Sequence, residues 1–268
     1  MDPSPSEAPK IFELPVHKFR TQLLRLLIRL IKRPIESISG LRICDRVYAR
    51  AWKMPKDIPF SDRAMQAIGV RVNFSAEELQ RIPKEGAVIV VSNHPFGGIE
   101  GVILLSLLRR VRPDVKAMAN FLLGAIPEMR EDFIFVDPFA SKSATKANLR
   151  PIKESLTWLK EGHLLVVFPS GEVSSFDRRT LRVRDPAWSA SIAALVRKTN
   201  ATVVPMYFPG HNGFLFNLVG LIHPRLRTLL LPRYLVNKKG RTLTLRIGTP
   251  LTTKALEPFS MDDVQLIK

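Results

Sequence analysis

An uninterrupted apolar run, "AVIVVS" at residues 87–92, constrains the fold most strongly. A strand with one face in water alternates apolar and polar residues, whereas a run without alternation is typical of a strand covered on both faces. Segments with a helical period separate this run from further apolar runs at 163–169 and 201–208. Strands that alternate with helices predict an α/β fold with a central mixed sheet flanked by helices.

The other predicted elements follow the same alternation. We predict helices at 41–53, 74–82, 102–111, 148–162 and 186–199, and shorter strands at 115–118, 133–137 and 242–248. Ser75 is a predicted N-cap, because Glu78 follows it three residues later in the pattern of a capping box. Gly162 is a predicted C-cap, and His163 directly after it is interpreted as part of the same helix end.

The first 70 residues form a different region. Residues 1–10 are rich in proline and are predicted to be a disordered tail. Residues 16–36 have a helical period, with leucines and isoleucines opposite a polar stripe of Lys18, Gln22, Arg25, Arg29, Lys32 and Glu36. Such a helix fits either a membrane interface or a docked position with its basic face in water. We therefore predict a helical, membrane-associating extension over 11–70 and an α/β domain over 71–268.

The charge of the chain points to a polyanionic partner. The sequence has 41 Lys and Arg against 24 Asp and Glu, a formal net charge of +17. It contains no aromatic pattern, zinc-finger spacing or basic region of a nucleic-acid module, so an anionic membrane surface is the predicted partner and nucleic acid is not. No signal peptide and no uncharged apolar stretch near the roughly 20 residues of a spanning helix is evident. We expect a peripheral protein at the cytoplasmic face of the inner membrane.

The single cysteine, Cys44, excludes an intrachain disulfide and a cysteine-based metal site. It has no histidine close to it in the sequence. We interpret Cys44 as a structural residue in a reducing compartment.

Polar clusters follow three of the predicted strands. Asn93, His94 and Glu100 come after the first run, "FPSGEVSS" at 168–175 after the second, and "FPGHNG" at 208–213 after the third. Ligands of an open α/β sheet bind at the carboxyl ends of strands, so these clusters predict the functional site. For His211 and Asn212 in the last cluster, capping of a turn and contact with substrate both stay open.

His94 is the candidate general base. A neutral imidazole can take a proton from an attacking hydroxyl, and it works better when a carboxylate holds its other nitrogen. Glu100 lies six residues on, and the pair Gly97–Gly98 would let the chain curl back so that the carboxylate meets the ring. The G-x-S-x-G elbow of a serine nucleophile is absent, so the base would act on the substrate directly. Alternatively, His94 caps the following helix or packs on the sheet.

Four segments in order resemble the motifs of the glycerolipid acyltransferases, the lysophosphatidic acid acyltransferase superfamily. They are "NHPFGGIEG" at 93–101, "FVDPF" at 135–139, "FPSGEVSS" at 168–175 and "VVPMYF" at 203–208. The resemblance covers about residues 75–250 and is closest to a bacterial branch labelled haemolysin-like, which includes acyltransferases that complete ornithine and glycine lipids. It implies that 71–268 is an acyltransferase domain with His94 and Glu100 as its catalytic pair. It also implies acyl carrier protein or coenzyme A thioesters as co-substrates, with no metal and no tightly bound cofactor.

The departures from the family pattern concern the acceptor. The His-to-acid spacing is one residue longer, and the acid is Glu100 where the family has Asp. Asp137 lies near a usual arginine of the second motif, and Glu172 and Val173 replace the threonine and arginine of the third. The loss of two phosphate-binding arginines favours an acceptor with an amino-acid headgroup, such as lyso-ornithine lipid. The candidate substrate-binding residues are Asn93, Gly97, Gly98, Asp137, Ser170, Gly171, Glu172, Arg178 and Arg179.

These observations predict an O-acyltransferase that moves a long-chain acyl group from a thioester to the free hydroxyl of a lyso-lipid. His94 is its predicted general base. Backbone N–H groups near Gly171 are expected to stabilise the tetrahedral oxyanion. Arg178 or Arg179 could still supply the charge that a phosphate needs. A 1-acyl-glycerol-3-phosphate acyltransferase and a catalytically inactive lipid-binding protein therefore remain as alternatives.

Overall fold

The computed structural model describes residues 8–13, 21–136 and 149–257. The helices are α1 (Gln22–Ser39), α2 (Leu41–Lys53), α3 (Phe60–Ile68), α4 (Ala76–Leu79), α5 (Ile99–Leu108), α6 (Leu149–Lys160), α7 (Ala190–Thr199), α8 (Phe214–Ile222), α9 (Pro224–Val236) and α10 (Thr253–Leu256). The strands are β1 (Arg71–Asn73), β2 (Val88–Ser92), β3 (Val115–Asn120), β4 (Phe133–Val136), β5 (Leu164–Val167), β6 (Ser175–Asp177), β7 (Arg182–Arg184), β8 (Thr202–Tyr207), β9 (Thr242–Thr244) and β10 (Arg246–Ile247). The chain divides into two units, Met1–Val70 with Asn212–Arg241 and Arg71–His211 with Thr242–Lys268.

The second unit contains a six-stranded sheet in the order β10-β8-β2-β5-β3-β4. β2 lies between β5 and β8 and runs parallel to both, while β10 is antiparallel to β8. All five residues of β2 are buried, as a strand covered on both faces requires. The predicted α/β fold with a central mixed sheet is confirmed.

Apolar side chains from one face of the sheet form a core with the helices. Ile89 of β2 and Leu165 of β5 belong to a buried cluster with Leu159 of α6 and Val196 of α7. Full burial of each such side chain stabilises the fold by about 1.5–3 kcal/mol. β2 is therefore fixed in the middle of the unit, and its carboxyl end is a rigid base for the residues that follow it.

Several predicted elements differ at their ends, among them the following two. The helix predicted over 74–82 is one turn long, although Ser75 caps it as expected and accepts a hydrogen bond from the Glu78 backbone N–H at 3.2 Å. The Glu78 carboxylate accepts from the backbone N–H of Ile247 at 3.1 Å, on the edge strand. The strand predicted over 242–248 is divided, because β9 pairs with β1 and β10 pairs with β8.

The first unit is helical and includes residues that the sequence analysis assigned to the α/β domain. Residues 212–241, within the predicted domain 71–268, group with the amino-terminal helices. The reason is packing: α9 contacts α1 and α2, and the Cys44 thiol donates to the Pro232 carbonyl at 3.4 Å. Burial raises the pKa of Cys44 to about 12, consistent with a structural residue.

Candidate active site

His94 and Glu100 meet at the carboxyl end of β2. The Nδ1 atom of His94 lies 3.6 Å from Oε1 of Glu100. The Glu100 side chain is completely buried, and the His94 side chain is 17% exposed. Nδ1 of His94 and Oε2 of Glu100 are buried without a hydrogen-bond partner. A buried imidazole nitrogen that faces a carboxylate is arranged to receive charge when the ring takes up a proton.

The glycine pair brings the two side chains together. Gly97 has a φ of 78° and Gly98 a φ of 92°, values that a residue with a side chain rarely adopts. This turn directs Glu100, in the first turn of α5, back onto its own loop. Oε1 accepts hydrogen bonds from the backbone N–H groups of Phe96 at 2.5 Å and Gly97 at 3.3 Å. Gly97 and Gly98 therefore shape the loop, as the sequence predicted, and their assignment to substrate binding stays a prediction.

Two further contacts fix the loop on the sheet. The His94 ring lies 4.3 Å from the Phe168 ring, centroid to centroid, at 32° between the planes. The Asn93 amide donates to the Phe208 carbonyl and accepts from the Phe208 N–H, both at 2.8 Å. Both the nitrogen and the oxygen of the amide are hydrogen-bonded, so Asn93 connects the residues that directly follow β2 and β8. The structure thus gives Asn93 a positioning role, and its assignment to substrate binding stays a prediction.

The segment after β5 uses the N–H of Gly171 itself in a turn, and an oxyanion donor near Gly171 stays a prediction. The Gly171 N–H donates to the Phe168 carbonyl at 2.9 Å, so it is already engaged. The Ser170 hydroxyl donates to the Glu172 carbonyl at 2.8 Å and stabilises the same turn. Val173, at the family's arginine position, is 7% exposed and faces the core, while the Glu172 side chain is exposed.

The remaining predicted binding residues are Asp137, Arg178 and Arg179. Asp137 lies outside the described residues. Arg178 and Arg179 are exposed in the turn between β6 and β7, three and four residues beyond the first residue of β6. The carboxylate of Asp177 accepts from the Arg179 N–H at 2.8 Å and pairs with Arg184 at 2.5 Å, which holds the pKa of Asp177 below its usual value. This turn is stabilised within the hairpin itself.

The third predicted cluster divides between two roles. Gly210 has a φ of 105°, and a Cβ atom there would lie 3.2 Å from the Phe96 ring, so glycine permits this close approach. The Asn212 side chain accepts from the Lys238 ammonium at 3.0 Å, and its carbonyl accepts from the Asn217 amide at 2.9 Å. Asn212 thus stabilises the turn before α8, in agreement with the capping alternative. His211 is exposed.

Asp185 is a functional candidate that the sequence did not predict. Its carboxylate accepts from the His94 backbone N–H at 3.2 and 3.3 Å, from Nε1 of Trp188 at 3.3 Å, and from the Ser174 hydroxyl. The Ser174 N–H in turn donates to the His94 carbonyl at 2.9 Å. Asp185 is 91 residues from His94, so no local spacing connects the two. The sequence Asp185-Pro186 before a helix is also typical of an ordinary loop. The contact between Asp185 and His94 is therefore visible only in the folded structure.

A second histidine–carboxylate pair lies at the amino ends of the strands. Nδ1 of His163 lies 2.9 Å from Oδ2 of Asp114, and the guanidinium of Arg112 also binds Asp114. Arg112 donates further to the carbonyls of Gly86 at 2.9 Å and Gly162 at 2.6 Å. Burial acts to raise the pKa of Asp114, but the hydrogen bonds from Arg112 and His163 outweigh it and lower that pKa. His163 therefore belongs to a structural network and does more than end a helix.

The described residues contain neither a cluster of metal-ligating side chains nor a membrane-spanning helix. Across residues 8–13, 21–136 and 149–257, no group of three or more His, Cys, Asp or Glu side chains is arranged to hold a metal ion. Within the same described residues, no helix combines the length and the apolar character needed to cross a bilayer.

A family model described as "Acyltransferase" matches residues 21–264. The chain belongs to this acyltransferase family. The match includes the His94 loop, both units and the segment after β5, so the sequence-based prediction of an acyltransferase is confirmed. The location of the active site at the carboxyl ends of the strands stays a prediction.

Two relatives carry the same functional name. The acyltransferase is 25% identical over 212 residues to the lyso-glycine lipid O-acyltransferase of Phocaeicola vulgatus. The aligned region covers 76% of this chain and 73% of that protein. It is 26% identical over 201 residues to the lyso-glycine lipid O-acyltransferase of Bacteroides thetaiotaomicron, covering 72% and 71%. Among crystal structures it is similar to the 1-acyl-sn-glycerophosphate acyltransferase PlsC from Thermotoga maritima, with a TM-score of 0.45 and 19% identity over 90% of this chain and 92% of that chain.

Proposed function

We propose that this acyltransferase moves a long-chain acyl group from a thioester to the free hydroxyl of a lyso-lipid with an amino-acid headgroup. The observation that carries the proposal is the His94–Glu100 pair, because its Nδ1 and Oε2 atoms are buried with no hydrogen-bond partner. Buried polar atoms without a partner lower the stability of a fold, and such destabilising arrangements are typical of functional sites. The two lyso-glycine lipid O-acyltransferases among the relatives support the class of acceptor.

The reaction needs one base and no covalent enzyme intermediate. Nδ1 of His94 faces Glu100, so Nε2 is the nitrogen that remains for substrate. Nε2 takes the proton of the acceptor hydroxyl while the oxygen attacks the thioester carbonyl. The buried carboxylate of Glu100 stabilises the imidazolium that forms. When the tetrahedral intermediate collapses, the C–S bond breaks, and His94 returns the proton to the leaving thiolate. The donor is the thioester of acyl carrier protein or of coenzyme A.

The segment after β5 supports an acceptor without a phosphate. Val173 is buried where the family has an arginine, and Glu172 is exposed beside it. A carboxylate repels a phosphate and attracts an ammonium group, which lyso-ornithine lipid carries on its side chain. Glycine has no side chain, so a lyso-glycine lipid would not use this attraction. The headgroup is therefore the point that experiment must decide.

The direct test is acyl transfer by the purified protein to lyso-glycine lipid, lyso-ornithine lipid and lysophosphatidic acid, each with both donors. We expect His94-dependent product from one or both aminolipids and little from lysophosphatidic acid, with His94→Ala as the control. Product from lysophosphatidic acid alone would reject the headgroup and keep the catalytic pair. No His94-dependent product from any acceptor would reject the proposed function.

A Glu172→Gln variant separates the two aminolipids. If the carboxylate holds the ornithine ammonium, its loss raises the KM for lyso-ornithine lipid about 10-fold, the order of one charge-assisted contact. The KM for lyso-glycine lipid stays the same. Glu161→Gln is the control, because Glu161 lies at the other end of β5 and its side chain is also exposed. An equal change for both acceptors would show that Glu172 does not select the headgroup.

The helical unit carries the charge that an anionic membrane surface would bind. It holds 19 Lys and Arg against 7 Asp and Glu, a net charge of +12 out of the chain's +17. Residues 212–241 alone contain six basic and no acidic residues. Each basic residue near an anionic surface contributes roughly 1 kcal/mol to binding. The proposed site of action is the cytoplasmic face of the inner membrane, where lyso-lipid acceptors are held.

Apolar side chains of the same unit are exposed to solvent. On α1, Leu26, Leu30, Ile31 and Ile38 are 50–71% exposed, whereas Glu36 is buried and paired with Lys32. The exposed side chains of α8 and α9 are Phe214, Leu215, Leu218, Ile222, Leu226 and Leu229. A docked helix would bury its apolar residues, so this pattern favours the membrane alternative over the solvated one.

Vesicle flotation tests the membrane step. We expect the protein to float with vesicles that contain phosphatidylglycerol and to remain below with pure phosphatidylcholine, with binding weakened by salt. Leu30→Glu and Phe214→Glu, each placing a charge on an exposed apolar position of the helical unit, should reduce flotation. Leu181→Glu is the matched control, because Leu181 is 73% exposed on the hairpin of the other unit. Equal loss in all three variants would reject the helical unit as the membrane-binding surface.

A further inference from the structure

We propose that Asp185 is a positioning residue for His94, an inference that rests on the proposed acyl transfer. Asp185 directly follows β7, and Ser174 directly precedes β6, so the two residues flank the base of the β6–β7 hairpin. Asp185 accepts the His94 N–H, while the Ser174 N–H donates to the His94 carbonyl. Both backbone polar groups of His94 are therefore held by the base of one hairpin.

One carboxylate joins the distant His94 loop to two donors near Asp185 in the sequence. The His94 loop, Ser174 before the hairpin and Trp188 before α7 all donate to it. Hydrogen bonds to an ionised acceptor are about twice as strong as those between neutral groups. Replacement of the carboxylate would loosen all three segments at once, and the only one of them that carries the proposed base is the His94 loop.

The position of the backbone matters because the His94 ring has few other restraints. Its Nδ1 has no hydrogen-bond partner and lies 3.6 Å from Glu100, and its face packs on Phe168. The ring therefore depends on its backbone for the direction in which Nε2 points. A misplacement of about 1 Å at a reacting group can reduce the rate about 100-fold.

The charge of Asp185 acts in the same direction as its hydrogen bonds. Its carboxylate contacts the His94 backbone at 3.2 Å, so the imidazolium formed during transfer lies close to a second anion besides Glu100. A nearby anion stabilises the charged form of a histidine. Loss of this charge would remove one source of stabilisation of the imidazolium that forms during transfer.

The experiment compares Asp185→Asn with Asp177→Asn. Both changes remove one negative charge from the same hairpin, but Asp177 binds Arg179 and Arg184 and has no described contact with His94. We expect Asp185→Asn to lower kcat about 10- to 100-fold with the acceptor KM unchanged. Asp177→Asn should keep kcat within about threefold of the unchanged protein. Equal losses in both variants would overturn the proposal.

A second measurement does not depend on activity. The ring signals of His94 can be followed by NMR, with their assignment taken from comparison with His94→Gln. Their chemical shifts should change in Asp185→Asn, because the ring moves with its backbone, and stay in place in Asp177→Asn. Unchanged ring signals in Asp185→Asn would overturn the positioning role, even for an enzyme that is inactive on every acceptor. Inactivity on every acceptor rejects only the proposed function.

A variant pair covers the case in which Asp185→Asn does not fold. Ser174→Ala removes the hydroxyl donor, and Trp188→Phe removes Nε1–H but keeps an aromatic ring. Together they leave the carboxylate with the His94 N–H as its described donor, so its position is less fixed. The double variant should lower kcat about fivefold at constant KM. An unchanged kcat would contradict the inference.

Discussion

Two histidine–carboxylate pairs lie at opposite ends of the parallel strands of one sheet. His163 precedes β5 and contacts Asp114 before β3, whereas His94 follows β2 and faces Glu100 in α5. The first pair is 2.9 Å apart and is completed by the Arg112 guanidinium. The second pair is 3.6 Å apart, and each partner keeps one buried atom without a hydrogen bond.

The difference between the pairs separates stability from chemistry. Satisfied charges at the amino ends stabilise the turns that lead into the strands. A buried polar atom without a partner costs about 1–3 kcal/mol, so the pair at the carboxyl ends weakens the fold locally. Such a cost is typical of a functional site. The His94 pair should therefore govern activity and the His163 pair stability, and variants can test each side of this comparison.

Loss of His94 should give the largest effect. His94→Ala removes the proposed base, and kcat should fall about 10³- to 10⁴-fold, within the range of general acid–base catalysis. The melting temperature should change little, because the ring has no hydrogen bond from its Nδ1. Steady-state kinetics and thermal unfolding measure the two quantities.

His163→Ala is the matched control for that variant. It removes the hydrogen bond to Asp114 and the stacking on the Trp158 ring, whose centroid lies 4.1 Å away. The melting temperature should fall by about 3–6 °C, while kcat stays within twofold. A His163→Ala variant that loses activity without losing stability would reverse the comparison.

Neutralising Glu100 should give the next largest effect. Glu100→Gln keeps an oxygen that can accept from the Phe96 and Gly97 N–H groups but removes the charge that stabilises the imidazolium. The expected loss in kcat is about 100-fold, with a folded loop. Circular dichroism checks that the variant is folded. The kinetics of Glu100→Asp, which keeps the charge, show whether the charge itself is needed. Full activity of Glu100→Gln would mean that the carboxylate serves only the loop.

The sequence predicted the sheet and the catalytic loop because both depend on local patterns. The continuous apolar run of β2 and the spacing of His94, two glycines and Glu100 are readable within about fifteen residues. Such short-range signals survive without knowledge of the fold. The α/β class and the juxtaposition of His94 with Glu100 follow from them.

The features that the sequence did not predict depend on contacts between distant segments. Asp185 reaches His94 across 91 residues, and Cys44 meets Pro232 across 188. Periodicity identifies elements, but it does not identify which loops share a hydrogen bond.

Asp114 should make stability depend on pH. Its pKa is lowered in the folded protein, so its contribution to stability is present above its unfolded pKa of about 3.9 and is lost as pH falls through the lower folded pKa. Asp114→Asn should lower the free energy of unfolding at pH 7 by about 2 kcal/mol, because Arg112 loses a charged partner. The difference should narrow below about pH 4. Urea unfolding at both pH values checks this, and an equal difference at both would contradict the assignment.

The smallest expected effect separates the two contacts of His163. His163→Phe keeps an aromatic ring against Trp158 but removes the hydrogen bond to Asp114, which Arg112 still binds. The free energy of unfolding should fall by about 1 kcal/mol, less than for His163→Ala, because one hydrogen bond is lost and the packing remains. Thermal unfolding should show a melting temperature lower by about 2–4 °C, with kcat unchanged. A loss as large as that of His163→Ala would assign the stabilisation to the hydrogen bond alone, and no loss would assign it to the ring contact.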